Sequence, residues 1–370
     1  MSKIRVSLWI AGTALALSAV AARGQAPTLG LSESELTGSL SQASKKKIDA
    51  YVKYWTGQMA QADTPVKVAG ARLKVLEGYG AYAPLHYQLY YARSAAGQLA
   101  SVLALADRVK QIQAAMAGEA MPQISIQPLL ETMSRHANPA VRYLAASGYR
   151  QAARRMMAQG RQYATKMLAA LERLGMKDAA GPVVGQVLAA LNPGPQSKPA
   201  EAGRLRAVAR KVWLARCKEV LEAKADFVEA YVGAVGALRA MPDDAADRKV
   251  VGQLLLEALE AGSRAYAEPA HHTGRAGEAL VELLTGAESA LADMFKKDMA
   301  AVQEVLGDRK MGEEVKALKA RLAVNDAWKP LLAKEGVKVR DLPKPDLKPA
   351  TKPATKPATK PATKPAKAAP

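Results

Sequence analysis

Glu268-Pro269-Ala270-His271-His272 is the one run in this chain whose residue types invite a site. On an α-helix, Glu268 and His271 at i,i+3 would share a face, the spacing by which di-iron helix bundles hold their metal. Such sites take two Glu-x-x-His pairs and two further carboxylates, and the sequence holds no second pair. Adjacent histidines diverge by about 100° around a helix and do not chelate one ion together. The run therefore reads as a helix-entry loop with exposed histidines, and no metal or cofactor is expected. The single cysteine, Cys217, lies between Arg216 and Lys218. Flanking cations lower a thiol pKa, but no histidine stands near it in sequence to act as a base. It reads as a buried helix residue. No GxxxxGK[ST], GxGxxG, GxSxG or HExxH occurs, so no phosphate loop, nucleophile elbow or zincin helix is encoded. No residue is assigned as catalytic. The open route to an enzyme is a carboxylate site assembled from distant helices, for which Glu257, Glu260, Glu278 and Glu282 are the residues at hand.

Binding chemistry is better represented. Tyr79, Tyr82, Tyr87, Tyr90 and Tyr91, with His86, are the densest aromatic group in the chain. Tyrosines bury area at low entropic cost and keep a hydroxyl for bonding, so such a group suits a binding groove. Tyr87, Tyr90 and Tyr91 also recur at helical spacing, which suits a core face. Both readings stand at this level.

The elements that must position these residues are helical. Alanine accounts for 76 of 370 residues, against only 18 aromatics. That composition favours helix over sheet, which wants β-branched and aromatic side chains. One cysteine excludes a disulfide framework and any multi-cysteine zinc or iron–sulfur site. The formal charge is +19.

The N-terminus has the form of an export signal. Lys3 and Arg5 precede an uncharged run from Val6 to Ala22, and Ala19-Val20-Ala21 supplies the small-x-small pattern of a signal peptidase site. The run is shorter than the roughly 20 apolar residues of a spanning helix. Residues 1–21 are thus expected to be removed, leaving no membrane span and placing a bacterial protein in the periplasm or outside the cell. No Asn-x-Ser/Thr sequon is present.

From Lys348 the C-terminus repeats Lys-Pro-Ala-Thr. Proline at every fourth position forbids helix, and no side chain larger than proline follows Leu347 except lysine and threonine, so residues 343–370 are expected to be disordered and extended. Their seven lysines against one aspartate give +6, which leaves +11 on residues 22–342. This tail resembles the Lys/Ala/Pro-rich tails of linker histones and of some bacterial nucleoid proteins. The resemblance implies attraction to polyanions through Lys348, Lys352, Lys356, Lys360 and Lys364; a solvated spacer is the other reading. Export argues against a specific nucleic-acid target.

Between the ends, apolar residues recur at three- and four-residue steps. A first helix is expected over about 32–62, and a second behind the Thr64-Pro65 start. A long helix is expected over 277–306. The breaker Asn192-Pro193-Gly194-Pro195 divides a repeat region, 30–192, from a second helical region, 199–342.

His136-Ala137-Asn138-Pro139-Ala140-Val141-Arg142-Tyr143-Leu144 resembles the start of the second helix of a HEAT repeat. Asn138 caps, Pro139 sets the first turn, Val141, Leu144 and Ala145 face inward, and Arg142 stays outside, available to a neighbouring loop. An echo, Asp63-Thr64-Pro65-Val66-Lys67, places Pro65 and Pro139 74 residues apart, about twice a 40-residue repeat. The expectation is an all-α protein, built as an α-solenoid or as a less regular array of antiparallel helix pairs. Its expected task is to hold an unidentified protein or anionic envelope polymer without catalysis.

Overall fold

The computed structural model describes residues 26–32, 35, 38–80, 83–192, 198–221, 245–272 and 274–338. The signal-like segment and the Lys-Pro-Ala-Thr tail lie outside the described residues. Among those described there is no strand, and the fold is all-α.

Among the described residues, the N-terminal stack is built of nine helices: α1 (Gln42–Gln61), α2 (Pro65–Tyr79), α3 (Leu85–Leu103), α4 (Arg108–Glu119), α5 (Gln127–Met133), α6 (Pro139–Ala158), α7 (Arg161–Lys177), α8 (Gly181–Ala190) and α9 (Pro199–Leu221). Their starts follow side-chain chemistry. The Ser41 hydroxyl accepts from Ser44 N at 3.0 Å, Asp107 from Val109 N at 2.8 Å, and Asn138 from Ala140 N at 3.0 Å. Pro65 and Pro139 each take the first helical position, where the missing N–H costs nothing. Helix α1 begins at Gln42, where Ser41 caps it, and Glu35 upstream is also helical, so the helix expected over about 32–62 is broken before Gln42.

Up to α8 each of these helices packs on the next, and all of them pack on the one after that. Tyr51 of α1 reaches Lys74 of α2, and Tyr91 of α3 reaches Val75, so successive helices run antiparallel. Alternate helices run parallel at offsets that vary along the stack: 45 residues from Asp49 to Ser94, 44 from Arg72 to Met116, 28 from Glu119 to Ser147 and 39 from Glu172 to Lys211. The result is two stacked layers, α1-α3-α5-α7-α9 and α2-α4-α6-α8. The breaker at 192–199 separates α8 from α9 in sequence, yet α9 packs against α7. The layering therefore continues through it.

The remainder has a different topology. Helices α10 (Ala245–Tyr266), α11 (Gly274–Phe295), α12 (Ala301–Gly307), α13 (Glu313–Ala323) and α14 (Lys329–Lys334) form a closed cluster in which α13 returns to α10. A π turn over Val324–Trp328 joins α13 to α14. The long helix expected over 277–306 is two helices instead. It breaks after Phe295, where Lys296 takes a left-handed φ of 53° and a buried carboxylate one turn and more upstream caps the next helix. The layered stack joins this cluster through contacts of α9 with α10.

Candidate functional site

The tyrosines sit inside the stack. Tyr79, Tyr87 and Tyr91 are 5, 3 and 0% exposed, with rings 5.9–6.1 Å apart. Their hydroxyls are consumed at the C-terminal end of α2. Tyr91 donates to Val75 O at 2.7 Å, Tyr51 to Lys74 O at 2.9 Å, and Tyr87 to Gly78 O. Tyr79 joins Gln88 and Gln123 in a buried polar cluster, accepting from Gln123 Nε2 at 2.9 Å. The layer closes so tightly that a Cβ on Gly78 would lie 2.5 Å from the Tyr51 ring. Tyr51, Tyr87 and Tyr91 thus satisfy the end of a helix, and Tyr79 closes the glutamine cluster. Tyr90 alone is partly exposed and donates to Asp49 at 2.9 Å, with the Lys45 ammonium over its ring. Tyr82 lies outside the described residues.

Burial pushes the phenols of Tyr79, Tyr87, Tyr91 and Tyr149 above the ordinary tyrosine value; Tyr266 rises for the same reason, aided by its bond to Glu313. An acid whose folded pKa is raised adds stability that is complete below its unfolded value of about 10 and is lost as pH climbs through the folded one. At about pH 11, phenolate absorbance should therefore show Tyr87, Tyr91, Tyr149 and Tyr266 still neutral. Their ionisation should then coincide with loss of the helical circular dichroism signal. Titration of all tyrosines together with helix intact would contradict their burial.

Arg142 joins three segments. Its Nη1 donates to His136 O at 2.8 Å and Ala137 O at 2.7 Å, in the loop leaving α5. Its Nε and Nη2 hold both oxygens of Asp178, Nη2 at 2.9 Å, where α7 ends. The Asp178 side chain is 2% exposed, and it also accepts from Ala180 N at the start of α8. A cation at the carbonyl end of a helix recurs along the stack. Lys110 reaches Ala60 O at the end of α1, and Arg216 of α9 reaches Asp178 O beyond α7. Each cation meets the negative end of a helix dipole. Sequence reading named Arg142 but missed Asp178 and Arg216. Their only signal was a capping-type acid just before Gly181-Pro182, and an arginine 74 residues after Arg142.

Elsewhere the possible catalytic groups are dispersed. Glu260 is paired with Arg264 at 2.7 Å and Lys329 at 3.1 Å. Glu257 accepts from Gln253, and Glu278 and Glu282 face solvent. His271 belongs to a 3₁₀ turn, Pro269–His271, and its Nδ1 is 2.9 Å from Ala265 O; Glu268 is exposed. Among the described residues no three His, Cys, Asp or Glu side chains are placed to hold a metal ion. The Cys217 side chain is outside those described. An open hollow over α5 is lined by Pro128, Glu131, Thr132, Arg135, His136 and Ala137; both ring nitrogens of His136 are within hydrogen-bond distance of main-chain groups, Leu103 O and Asn138 N. No described helix is long and apolar enough to cross a membrane.

The most deeply buried carboxylate, Glu288 of α11, escaped sequence reading altogether. It is 0% exposed. Oε1 accepts from the Trp328 indole at 2.7 Å and Val302 N at 2.8 Å, and Oε2 from Gln303 N at 2.7 Å. It caps α12 from a neighbouring helix and ties the π turn to both.

Several large apolar side chains of the stack are exposed, Leu85 and Met176 in one layer and others in the second. Val66 is 73% and Leu73 57% exposed on α2, and Val109 on α4 and Tyr143 on α6 are also exposed. Val66, Val109 and Tyr143 lie in the first or second turn of helices stacked parallel in the same layer. They form a row running across the helices, suited to contact and carrying no reactive group. No protein-family model, curated protein or solved structure matches this chain.

Proposed function

We propose that this protein is an exported, non-catalytic helical scaffold that binds a partner in a bacterial envelope, with its lysine tail as an electrostatic tether. The observation that carries the reading is the row Val66–Val109–Tyr143 across one layer of the stack. Exposed apolar side chains near the starts of alternate helices make a linear strip, the kind of surface solenoids offer to extended partners. The HEAT-like motif at 136–144, the two-layer stacking of parallel alternate helices and the dispersal of carboxylates support the same reading. Lys348, Lys352, Lys356, Lys360 and Lys364 would hold an acidic envelope polymer by charge alone, and that attraction weakens with salt through screening. Export rests on Lys3, Arg5 and the Ala19-Val20-Ala21 site, with the mature chain starting near Ala22.

The test is site-specific photo-crosslinking in the native envelope. A photoreactive residue at 66, 109 or 143 should give one common adduct, and one at Lys53, in the opposite layer, should give none. Deleting 343–370 should lower the yield at low salt and leave it unchanged at high salt. Equal labelling from both layers, or none from either, would end the scaffold reading. A yield insensitive to the tail would end the tether.

A further inference from the structure

Helix α13 wears its residues inside out. Its buried face is made of Ala317, Ala320 and the stem of Lys316, with Val324 just beyond. The larger aliphatics point away from the protein: Val315 is 47%, Leu318 59% and Leu322 47% exposed. They stand at i, i+3 and i+7, a seam two turns long that a monomer has no use for. A helix normally turns its large aliphatics to the core, because each buried one is worth about 1.5–3 kcal/mol.

The charges beside the seam identify what fits it. With Val315 and Leu322 as a positions and Leu318 as d, Glu314 falls at g and Lys319 at e. Two such helices set parallel about a two-fold axis place each g beside the partner's e five residues on. Glu314 of each copy then meets Lys319 of the other, twice by symmetry. Both side chains are exposed, and neither has an ion-pair partner among the described residues. The seam's flanks carry Glu314 and Asp326 against Lys319 and Arg321, so their charges cancel. A balanced rim is not drawn to an acidic polymer or an anionic lipid surface, but it is complementary to itself.

We infer that α13 is a self-association surface, which pairs two copies of this chain through Val315, Leu318 and Leu322, with Glu314–Lys319 ion pairs at its edges. The face lies in the closed C-terminal cluster, away from the apolar row on α2, α4 and α6, so either proposal can fail without the other. Two turns of helix bury less than the roughly 1,000 Å² of a stable interface, so the pairing should be reversible, with a dissociation constant of about 1–100 µM.

Sedimentation equilibrium of the full chain, purified as the cell delivers it, should show a monomer–dimer equilibrium over about 1–200 µM. Leu318→Glu, at an exposed position, should abolish the dimer with the helical circular dichroism unchanged. Glu314→Lys and Lys319→Glu should each weaken it about tenfold by setting like charges together, and the double exchange should restore it. The restoration is the decisive arm, since it needs no variant that perturbs packing and no partner other than a second copy gives it. A strictly monomeric chain at the top of the range would overturn the inference. So would a dimer indifferent to Leu318→Glu, a double exchange no better than the single ones, or binding to phosphatidylglycerol vesicles that depends on Leu318.

Discussion

Glu288→Ala should unfold the C-terminal cluster under conditions where the layered stack persists. The carboxylate is the common acceptor for the Trp328 indole and for the backbone N–H groups of Val302 and Gln303. Its removal orphans three donors, two of them in a helix whose first turn has no other side-chain cap. Each orphaned buried donor costs about 1–3 kcal/mol, so the loss is on the order of 3–9 kcal/mol. That is comparable to the whole stability of a small domain, about 5–15 kcal/mol. Glu288→Gln keeps the shape and an acceptor oxygen for Val302 N and the Trp328 indole but turns its N–H₂ group toward the Gln303 N–H, and should recover only part of the loss. Urea titration followed by far-ultraviolet circular dichroism should show an early transition in Glu288→Ala that is absent from the parent chain. A single midpoint unchanged by the substitution would show that α12 and the π turn do not depend on this carboxylate.

The second large effect belongs to the other half of the molecule. Arg142→Ala leaves Asp178, 2% exposed at its side chain, with one remaining donor, Ala180 N. Breaking a buried pair from one side costs about 3–5 kcal/mol, because the surviving charge stays out of water. Asp178→Ala should cost less than Arg142→Ala. The Arg142 side chain is 19% exposed and keeps the carbonyls of His136 and Ala137, so its charge is not stranded. The double variant should cost far less than the sum, since the two residues act as a unit. Combined with Glu288→Ala, by contrast, Arg142→Ala should be additive, because the two sites lie in different packing units. Thermal melts of the four variants measure all of this. Equal costs for Arg142→Ala and Asp178→Ala would mean that the pair is solvated and contributes little.

The N-terminal stack was largely legible because its signals are local. Thr64-Pro65 and Asn138-Pro139 start helices through contacts within four residues, and those starts are where the chain places them. The aromatic cluster shows the limit. Periodicity put Tyr87 and Tyr91 on one face but could not say that α2 would end against that face and take up their hydroxyls. Glu288 was hidden for a related reason. It sits between Ala287 and Leu291 in an apolar seam, and its partners lie 14 to 40 residues further on. Helix capping read from sequence looks for the acid just before the helix, whereas this one arrives from across the cluster. The same long reach explains the misread helix over 277–306, since nothing near Lys296 in sequence announces the break.

The two halves answer to force in different ways. In the stack, the main packing of each helix is with its neighbours and next-neighbours, so tension along the chain is carried by a series of small interfaces. Such a body stretches and recoils by many small steps, as a spring does, and pays little for changes in its curvature. The C-terminal cluster closes on itself through α13 and α10, and the Glu288 knot ties residues up to 40 apart. It has no soft mode of that kind and yields all at once. A chain anchored by its lysine end and loaded at its stack would thus have a rigid block next to the anchor and a compliant one at the load.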